Sequence, residues 1–399
     1  MGAIGMGNDI GPIGTGATMS KPQVIVFVDW YKPGYKGGGP VRSMMNLVDH
    51  IGDHVDLWFV TSDTDYTADA PYPGIVPDIW TPLPSGEMVW YASAKGRSRA
   101  NWAKLLAERK WDAVYINGMF SWWYSIMPLA VLRGTTQRRI VAARGMLLPG
   151  PMGQGGLKKR TFLTLARAAG LYRGVEFQST SADETLSIQH WIGKSPPIHL
   201  VPNLPRKLEA TTRPARTKQP GSVRLVNVVR IATEKNIHLI IESLHGLRGE
   251  VTFDLFGPVH HVDYWAMCQL AIAQLPPNVH FAYYGPLPSE AVPATLAGNY
   301  HALFMPNEGD NFGHTMLEAM CTGLPLLISD RTPWRHLEQQ HVGWDLPLNE
   351  LSAFTRTIQR LIDMDQTEFD QWSEGAFQYG RRQAEDPNAV ALNLHLFRA

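Results

Sequence analysis

Residues 306–330 read PNEGDNFGHTMLEAMCTGLPLLISD and contain one complete strand-to-helix junction of the chain. The apolar run Ala302–Met305 just before them predicts a buried strand, and a glycine-containing turn leads into a helix over 314–322. Gly323 is a helix C-cap, and Pro325 prevents the helix from continuing. A buried strand followed at once by a helix is typical of a parallel sheet that carries helices on its faces.

The same alternation of strands and helices runs along most of the chain. Other short apolar runs predict strands at Val24–Val28, Leu57–Thr61, Ala113–Asn117, Ile140–Ala143, Arg224–Val229, Val251–Phe256, Val279–Tyr283 and Leu326–Ser329. Helical patterns lie between them, and the segment after Leu351 is helical throughout. The alternation pauses in the proline-rich stretch 202–221, which indicates a linker. The fold class is therefore α/β, with two Rossmann-like parallel-sheet domains that face each other across a cleft.

Composition limits the classes of function. The 399 residues are 44% hydrophobic and 18% charged, as in globular proteins, and 36 Lys and Arg balance 36 Asp and Glu. This balance gives no overall attraction to nucleic acid. No apolar run reaches the roughly 18 residues of a membrane-spanning helix, and the glycine-rich start lacks the features of a signal peptide. Cys268 and Cys321 show no metal-ligand spacing, so we expect free thiols and a cytoplasmic protein.

Two carboxylates frame the helix of the opening stretch. Asp310 lies in the loop at the carboxyl end of the predicted strand, and Glu318 lies about one turn into the helix, with seven residues between them. The unpaired backbone N–H groups at the start of a helix favour an anion or a sugar hydroxyl. Carboxylates accept several hydrogen bonds, so the pair is suited to hold a polyol beside that anion.

This stretch resembles the family 4 retaining glycosyltransferases of the GT-B fold. Their signature is two glutamates separated by seven residues, in the setting E-x-F-G-x-x-x-x-E-A-M-x-x-G-x-P. The matching residues here are Phe312, Gly313, Glu318, Ala319, Met320, Gly323 and Pro325. The first acid is Asp310 instead of glutamate, which is one methylene shorter, and Glu308 lies nearby but out of register.

The resemblance extends to two further segments. Arg230 follows a predicted strand and Lys235 comes five residues later, like the family's cation pair that clamps the donor diphosphate. Two cations ahead of a helix start would neutralise a leaving pyrophosphate, although taken alone they could be exposed surface charges. Gly38 and Gly39 resemble the family's N-terminal glycine loop, whose backbone N–H groups approach phosphate or sugar.

The resemblance implies a retaining hexosyl- or hexosaminyltransferase that uses a nucleotide diphosphate sugar and needs no metal or other cofactor. It implies catalytic roles for Arg230, Lys235, Asp310 and Glu318, with Glu318 on the donor ribose and Asp310 on the sugar ring. Acceptors would be saccharides or lipid-linked saccharides in bacterial surface-glycan assembly. Further substrate contacts are expected from Gly257, Asn311, Phe312, Gly313, His314 and Thr315.

The division of the chain follows from these assignments. We predict a disordered leader or expression remnant at 1–20, with Met19 as a natural start, then an acceptor-binding domain at 21–205 and a linker at 206–221. A nucleotide-sugar-binding domain would occupy 222–375. The last segment, 376–399, would be a terminal helix that packs back toward the first domain.

The acceptor side carries less sequence signal. Asn117 and Arg144 each follow a predicted strand of the first half and are expected to contact the acceptor. Arg144 either binds an acceptor phosphate or carboxylate or takes part in a structural ion pair, and the sequence leaves both open. A helical stretch is either a peripheral membrane contact or a solvated face, because it is amphipathic and basic. Its cations are Lys158, Lys159, Arg160 and Arg167.

Two patterns have the residue types of metal sites. Asp63-Thr64-Asp65 resembles the DxD of metal-dependent transferases with another fold, and His260-His261 lies in what we expect to be a solvated loop. We expect neither to bind a metal. The alternatives that remain open are a non-catalytic nucleotide-sugar-binding protein and an epimerase- or hydrolase-like enzyme of the same fold. A dinucleotide oxidoreductase is excluded, because the sequence lacks GxGxxG with a ribose-binding acid after it.

Overall fold

The computed structural model describes residues 20–153, 156–208 and 212–398 and contains two parallel sheets. The predicted leader therefore lies outside the described residues, except for Ser20. The strands of the first sheet are β1 Gln23–Phe27, β2 Asp56–Ser62, β3 Trp80–Pro82, β4 Met88–Ala92, β5 Ala113–Asn117, β6 Arg139–Ala142, β7 Glu176–Ser179 and β8 Ile198–Leu200. Their order is β3-β4-β2-β1-β5-β6-β7-β8, and only the β3–β4 pair is antiparallel. The helices are α1 Gly39–Ile51, α2 Arg99–Ala107, α3 Met127–Val131, α4 Pro149–Gly153, α5 Gly156–Ala168 and α6 Ala182–Trp191, with a π-helical turn at Trp122–Ile126.

The second sheet is parallel throughout. Its strands are β9 Ser222–Val228, β10 Glu250–Phe256, β11 Val279–Tyr283, β12 Ala302–Met305, β13 Leu326–Ser329 and β14 Gly343–Leu346, in the order β11-β10-β9-β12-β13-β14. The helices are α7 Ile237–Ser243, α8 Val262–Ile272, α9 Val292–Leu296, α10 His314–Cys321, α11 Leu351–Asp363 and α12 Gln366–Ala384. Short 3-10 turns lie at Thr233–Lys235, Ser289–Ala291 and Glu338–Gln340.

The central strands explain why the sequence folds into such sheets. Every residue of β5, β6, β12 and β13 is buried, as expected for strands covered by helices on both faces. In both sheets the strand order reverses at the first strand of the domain. Strand β1 lies between β2 and β5, and β9 lies between β10 and β12. Such a reversal leaves a crevice at the carboxyl ends of the strands. The loops after β1, β5, β6, β9, β10 and β12 carry the predicted site residues.

The chain returns to the first domain in its last helix. Helix α12 packs on α10, whereas α13, Pro387–Arg398, packs on α1. Arg138 Nη1 donates to the Leu396 carbonyl at 2.9 Å, and the ring of Phe397 lies 5.4 Å from that of Tyr115. None of the helices in the described ranges is both long enough and apolar enough to cross a membrane.

Candidate functional site

The loop between β12 and α10 is held in place by buried neighbours. Gly313 caps α10 with φ of 76°, and a Cβ at this position would lie 2.8 Å from the Trp334 indole nitrogen. Only glycine adopts this conformation without strain and fits the space. Glu318 is 7% exposed, on a helix whose apolar side chains are buried. Its carboxylate is therefore presented by a rigid element.

A short turn after β9 brings Lys235 to this loop. Its Nζ lies 3.3 Å from Oδ2 of Asp310, which also accepts a hydrogen bond from Asn307 Nδ2 at 2.9 Å. Asn236 adopts a left-handed φ of 53° and donates from Nδ2 to the Pro306 carbonyl at 2.8 Å, which joins the two loops. The structure thus brings together one cation and one acid of the predicted catalytic set, although they are 75 positions apart in the sequence.

Arg230 begins the same turn, and its side chain is 34% exposed. Its guanidinium faces Glu234 at 3.6 Å and lies 6.0 Å from the centroid of the Tyr66 ring. Gly257 comes from the end of the neighbouring strand, where φ is 139° and a Cβ would lie 1.9 Å from the Val229 carbonyl oxygen. Close backbone packing accounts for this glycine, and its contact with substrate stays a prediction.

Glu318 connects the two domains through ion pairs. Its Oε2 accepts from Arg42 Nη1 at 2.6 Å, and its Oε1 accepts from Arg206 Nε at 3.2 Å. Both arginines also donate to the Ser289 hydroxyl, at 3.2 and 3.1 Å. Arg42 belongs to α1 and Arg206 follows the first domain, so the acid predicted to bind the ribose also joins the halves of the chain. Neither arginine was predicted from the sequence. Arg42 could have been found from its position in the first helical turn after the glycine loop.

The glycine loop borders open space. Gly38 caps α1 with φ of 69°, and a Cβ on Gly38 or Gly39 would meet no atom within 4 Å. Asp65 fixes the loop from behind, because its Oδ2 accepts the N–H groups of Tyr35 at 3.2 Å and Lys36 at 3.3 Å. The second acid of the DxD-like pattern is therefore a loop anchor. Within the described ranges, no group of three or more His, Cys, Asp or Glu residues could hold a metal ion.

His314 is a buried histidine at the start of α10. Its Nε2 lies 2.9 Å from the Ser43 hydroxyl of the first domain. Burial, and after it the charges of Arg42, Arg144 and Arg206, hold the pKa of His314 well below its ordinary value. The ring is therefore neutral near pH 7.

The remaining candidates of this loop are placed as follows. Glu308, the other candidate for the first acid, forms an exposed ion pair with Arg331 at 2.5 Å. The Phe312 ring packs against Trp334 with centroids 6.1 Å apart, and Thr315 is half-buried. Asp310, not Glu308, is therefore the acid that faces Lys235, while substrate contacts of Phe312 and Thr315 stay predictions.

The carboxyl ends of β5 and β6 place Asn117 and Arg144 side by side. Arg144 donates from Nε to Asn117 Oδ1 at 2.5 Å and from Nη2 to the Tyr115 hydroxyl at 2.7 Å, while Nη1 bonds to Asn203 Oδ1. Its φ of 52° lies in the left-handed region, which is uncommon for residues other than glycine. No acid of the described residues lies within ion-pairing distance, so the structural ion pair left open by the sequence does not form there.

A second contact between the domains lies beside Arg230. The Tyr66 hydroxyl lies 2.9 Å from Nδ1 of His260, and the two rings stack with centroids 5.2 Å apart. Trp30 packs edge-on against Tyr66 at 4.8 Å. Burial, followed by Arg230 and His261, lowers the pKa of His260, so the neutral ring can accept the hydrogen bond. The expectation of a solvated loop was therefore wrong for His260, which is an interdomain contact.

A cavity of about 630 Å³ opens between the glycine loop and the second domain. Its wall includes Gly38 and Arg42 on one side and Leu287, Ser289 and Glu290 on the other. Cavities of this volume accommodate ligands of the size of a mononucleotide or a disaccharide. The cavity borders the ion pairs of the site, because Arg42 and the Ser289 hydroxyl belong to both.

Comparison with known proteins agrees with this arrangement. Residues 209–378 match the family described as glycosyl transferases group 1. No curated protein matches the sequence. Among solved structures, the sucrose-phosphate synthase of Thermosynechococcus elongatus superposes with a TM-score of 0.72 and 14% identity, over 95% of this chain and 98% of that chain.

Two further solved structures have the same architecture. Anabaena HepE, in complex with UDP and glucose, has a TM-score of 0.64 and 14% identity over 94% of this chain and 98% of that chain. WaaG, a glycosyltransferase involved in lipopolysaccharide biosynthesis, has a TM-score of 0.64 and 15% identity over the same shares. These likenesses show the fold, and the family match covers the segment that contains Lys235, Asp310 and Glu318. The match of residues 209–378 to the glycosyl transferases group 1 family, together with the GT-B fold shared with these structures, identifies the chain as a glycosyltransferase.

Proposed function

We propose that the chain transfers a glycosyl group from a nucleotide diphosphate sugar to a saccharide or lipid-linked saccharide, with retention of the anomeric configuration. The observation that carries this proposal is the Lys235–Asp310 ion pair in the loop before α10, together with Glu318 buried on that helix. Cations and a helix start suit the phosphates, and carboxylates suit the hydroxyls. A site that bound only a simple anion would not need the two carboxylates, which repel anions.

Donor binding would exchange contacts within this cluster. Lys235 would turn from Asp310 to the diphosphate, and Asp310 would then accept hydroxyls of the transferred sugar. Glu318 would exchange Arg42 or Arg206 for the ribose hydroxyls. The released guanidinium lies at the same helix start, where it can share in neutralising the diphosphate. The charges therefore stay balanced on donor binding.

We further propose that the reaction needs no metal. Arg230 and Lys235 would supply the positive charge that stabilises the departing diphosphate. Retention without an enzyme nucleophile fits a front-face route. In that route the bond from the anomeric carbon to the phosphate oxygen breaks while the acceptor oxygen bonds on the same face. The leaving phosphate accepts the proton of the acceptor hydroxyl.

The proposed setting is bacterial surface-glycan assembly at the inner face of the membrane. Leu157 and Leu165 of α5 are 81% and 64% exposed, and Lys158, Arg160 and Arg167 on the same helix are exposed as well. Apolar side chains interspersed with cations favour contact with an anionic membrane surface. Co-sedimentation with phosphatidylglycerol vesicles tests this, and equal binding to neutral phosphatidylcholine vesicles would count against it.

A thermal-shift panel tests the donor proposal first. UDP-, GDP-, ADP- and TDP-sugars are compared, because a ligand that binds only the folded state raises the Tm. UDP-glucose leads the panel, since HepE binds UDP and glucose. Incubation with acceptor pools and NMR of the anomeric protons in the product then tests retention, with and without a chelator. The absence of a Tm shift with every nucleotide sugar would contradict donor binding. An inverted product would contradict retention, and complete loss of activity with the chelator would contradict a reaction without metal.

A further inference from the structure

Arg144 forms no ion pair with an acid of the described residues, although it lies in the cleft. Four other cations of the site form ion pairs, which are Arg230–Glu234, Lys235–Asp310, Arg42–Glu318 and Arg206–Glu318. Arg144 instead bonds to the neutral side chains of Asn117, Asn203 and Tyr115. A partly buried charge without a counter-charge costs free energy, and a bound anion would recover it.

The hydrogen bonds of Arg144 leave a fork of donors. A guanidinium has five N–H groups, and three of them are used here, one on each nitrogen. One donor therefore remains on each terminal nitrogen, the arrangement that binds a carboxylate or phosphate through two parallel bonds. Asn117 is only 4% exposed, yet its Nδ2 has no partner among the described residues. Arg144 and Asn117 thus offer four unused N–H donors in one place.

The turn that carries Arg144 touches the donor loop. A Cβ on the next residue, Gly145, would lie 3.0 Å from Cβ of Asn311. The buried acid Glu184 holds this turn and forms no ion pair with Arg144; its oxygens accept the N–H groups of Gly145 at 2.5 Å and Thr180 at 2.6 Å. An anion bound at Arg144 would therefore lie on the first domain, directly opposite the loop proposed to hold the transferred sugar.

We propose that Arg144, together with Asn117, binds a carboxylate or phosphate group of the acceptor. The acceptor is accordingly an acidic saccharide, either a glycan that contains a uronic acid or a sugar phosphate. This inference rests on the proposed glycosyl transfer and adds the charge of the second substrate to it. Arg144 is a binding residue in this scheme, since no bond is made or broken at its side chain.

The test compares neutral and acidic probes of the same size. The full chain, saturated with the nucleotide that raises its Tm most, is titrated with glucose, glucuronate and glucose 6-phosphate. The wild-type protein should bind at least one acidic probe about tenfold more tightly than glucose, the value of a charge-assisted pair of hydrogen bonds. Arg144→Gln should remove this preference. Arg133→Gln, at an exposed arginine of the same domain, should keep it.

The outcomes separate this inference from the proposed function. Binding of nucleotide with equal affinity for glucose and both acids would refute the acidic acceptor and leave glycosyl transfer standing. Failure to bind any nucleotide would instead remove the proposed function. If Arg144→Gln does not fold, the same titration is made with Arg144→Lys, because lysine keeps the positive charge but lacks the paired donors of a guanidinium. It should bind the acidic probe several-fold more weakly, and unchanged affinity would overturn the inference.

Discussion

Replacing Lys235 by alanine tests the proposed diphosphate clamp most directly. The Lys235 side chain is 13% exposed, and its Nζ lies 3.3 Å from Asp310, in a site that water only partly screens. At an effective dielectric constant of about 20, a charge about 4 Å from a phosphate charge contributes about 4 kcal/mol. Negative charge grows on the leaving group in the transition state, so most of this loss falls on kcat. We expect kcat to drop about 100- to 1,000-fold.

The assay is the initial rate of nucleotide release, with Tm as the measure of folding. Lys104→Ala, at an exposed lysine of α2, is the matched control and should stay within about twofold of wild type. Loss of Lys235 also leaves Asp310 unpaired, and recovery in the double variant Lys235→Ala/Asp310→Ala would show that this unpaired charge, and not the lost clamp, lowers the rate. Wild-type turnover in the single variant, or full recovery in the double variant, would refute the clamp.

Three further substitutions test the interdomain contacts, the donor loop and the pH response. Tyr66→Phe removes the hydroxyl that meets His260 and should raise the KM for the donor roughly two- to tenfold, whereas Tyr284→Phe, at an exposed tyrosine, should not. Gly145→Ala should lower kcat more than Gly134→Ala, because both have positive φ but only Gly145 faces Asn311; equal rates would count against this. Burial lowers the pKa of His301 from its ordinary 6.5 to about 4, so the unfolded chain takes up the proton first as the pH falls. Stability should fall by up to about 3 kcal/mol between pH 6.5 and 4, and urea unfolding of His301→Gln should show a smaller fall.

The sequence predicts the central strands well and the edges poorly. The bounds of β5, β11, β12 and β13 agree with the prediction, because most of these strands are continuous apolar runs between turn residues. The antiparallel pair β3–β4 was not predicted. Strand β3 has only three residues, ends in a proline and is half-exposed, so its pairing depends on β4 and not on its own pattern.

The contacts of the site that form within one domain could be predicted from the sequence. Lys235 and Asp310 meet because the loops after β9 and β12 are neighbours in any sheet of this order. The contacts of Glu318 with Arg42 and of Tyr66 with His260 join residues 276 and 194 positions apart, in different domains. Their formation depends on how the two domains are oriented, which the local patterns of sequence do not encode.

The return of α13 to the first domain has a consequence for engineering. Phe397 packs on Tyr115, whose hydroxyl bonds to Arg144, so a segment from the far end of the chain supports the proposed acceptor side. Part of the interior of the first half therefore comes from α13, which is synthesised after the second half. Chimeras that exchange halves between related enzymes should therefore transfer α13 together with the first half, even though the second half separates the two in sequence.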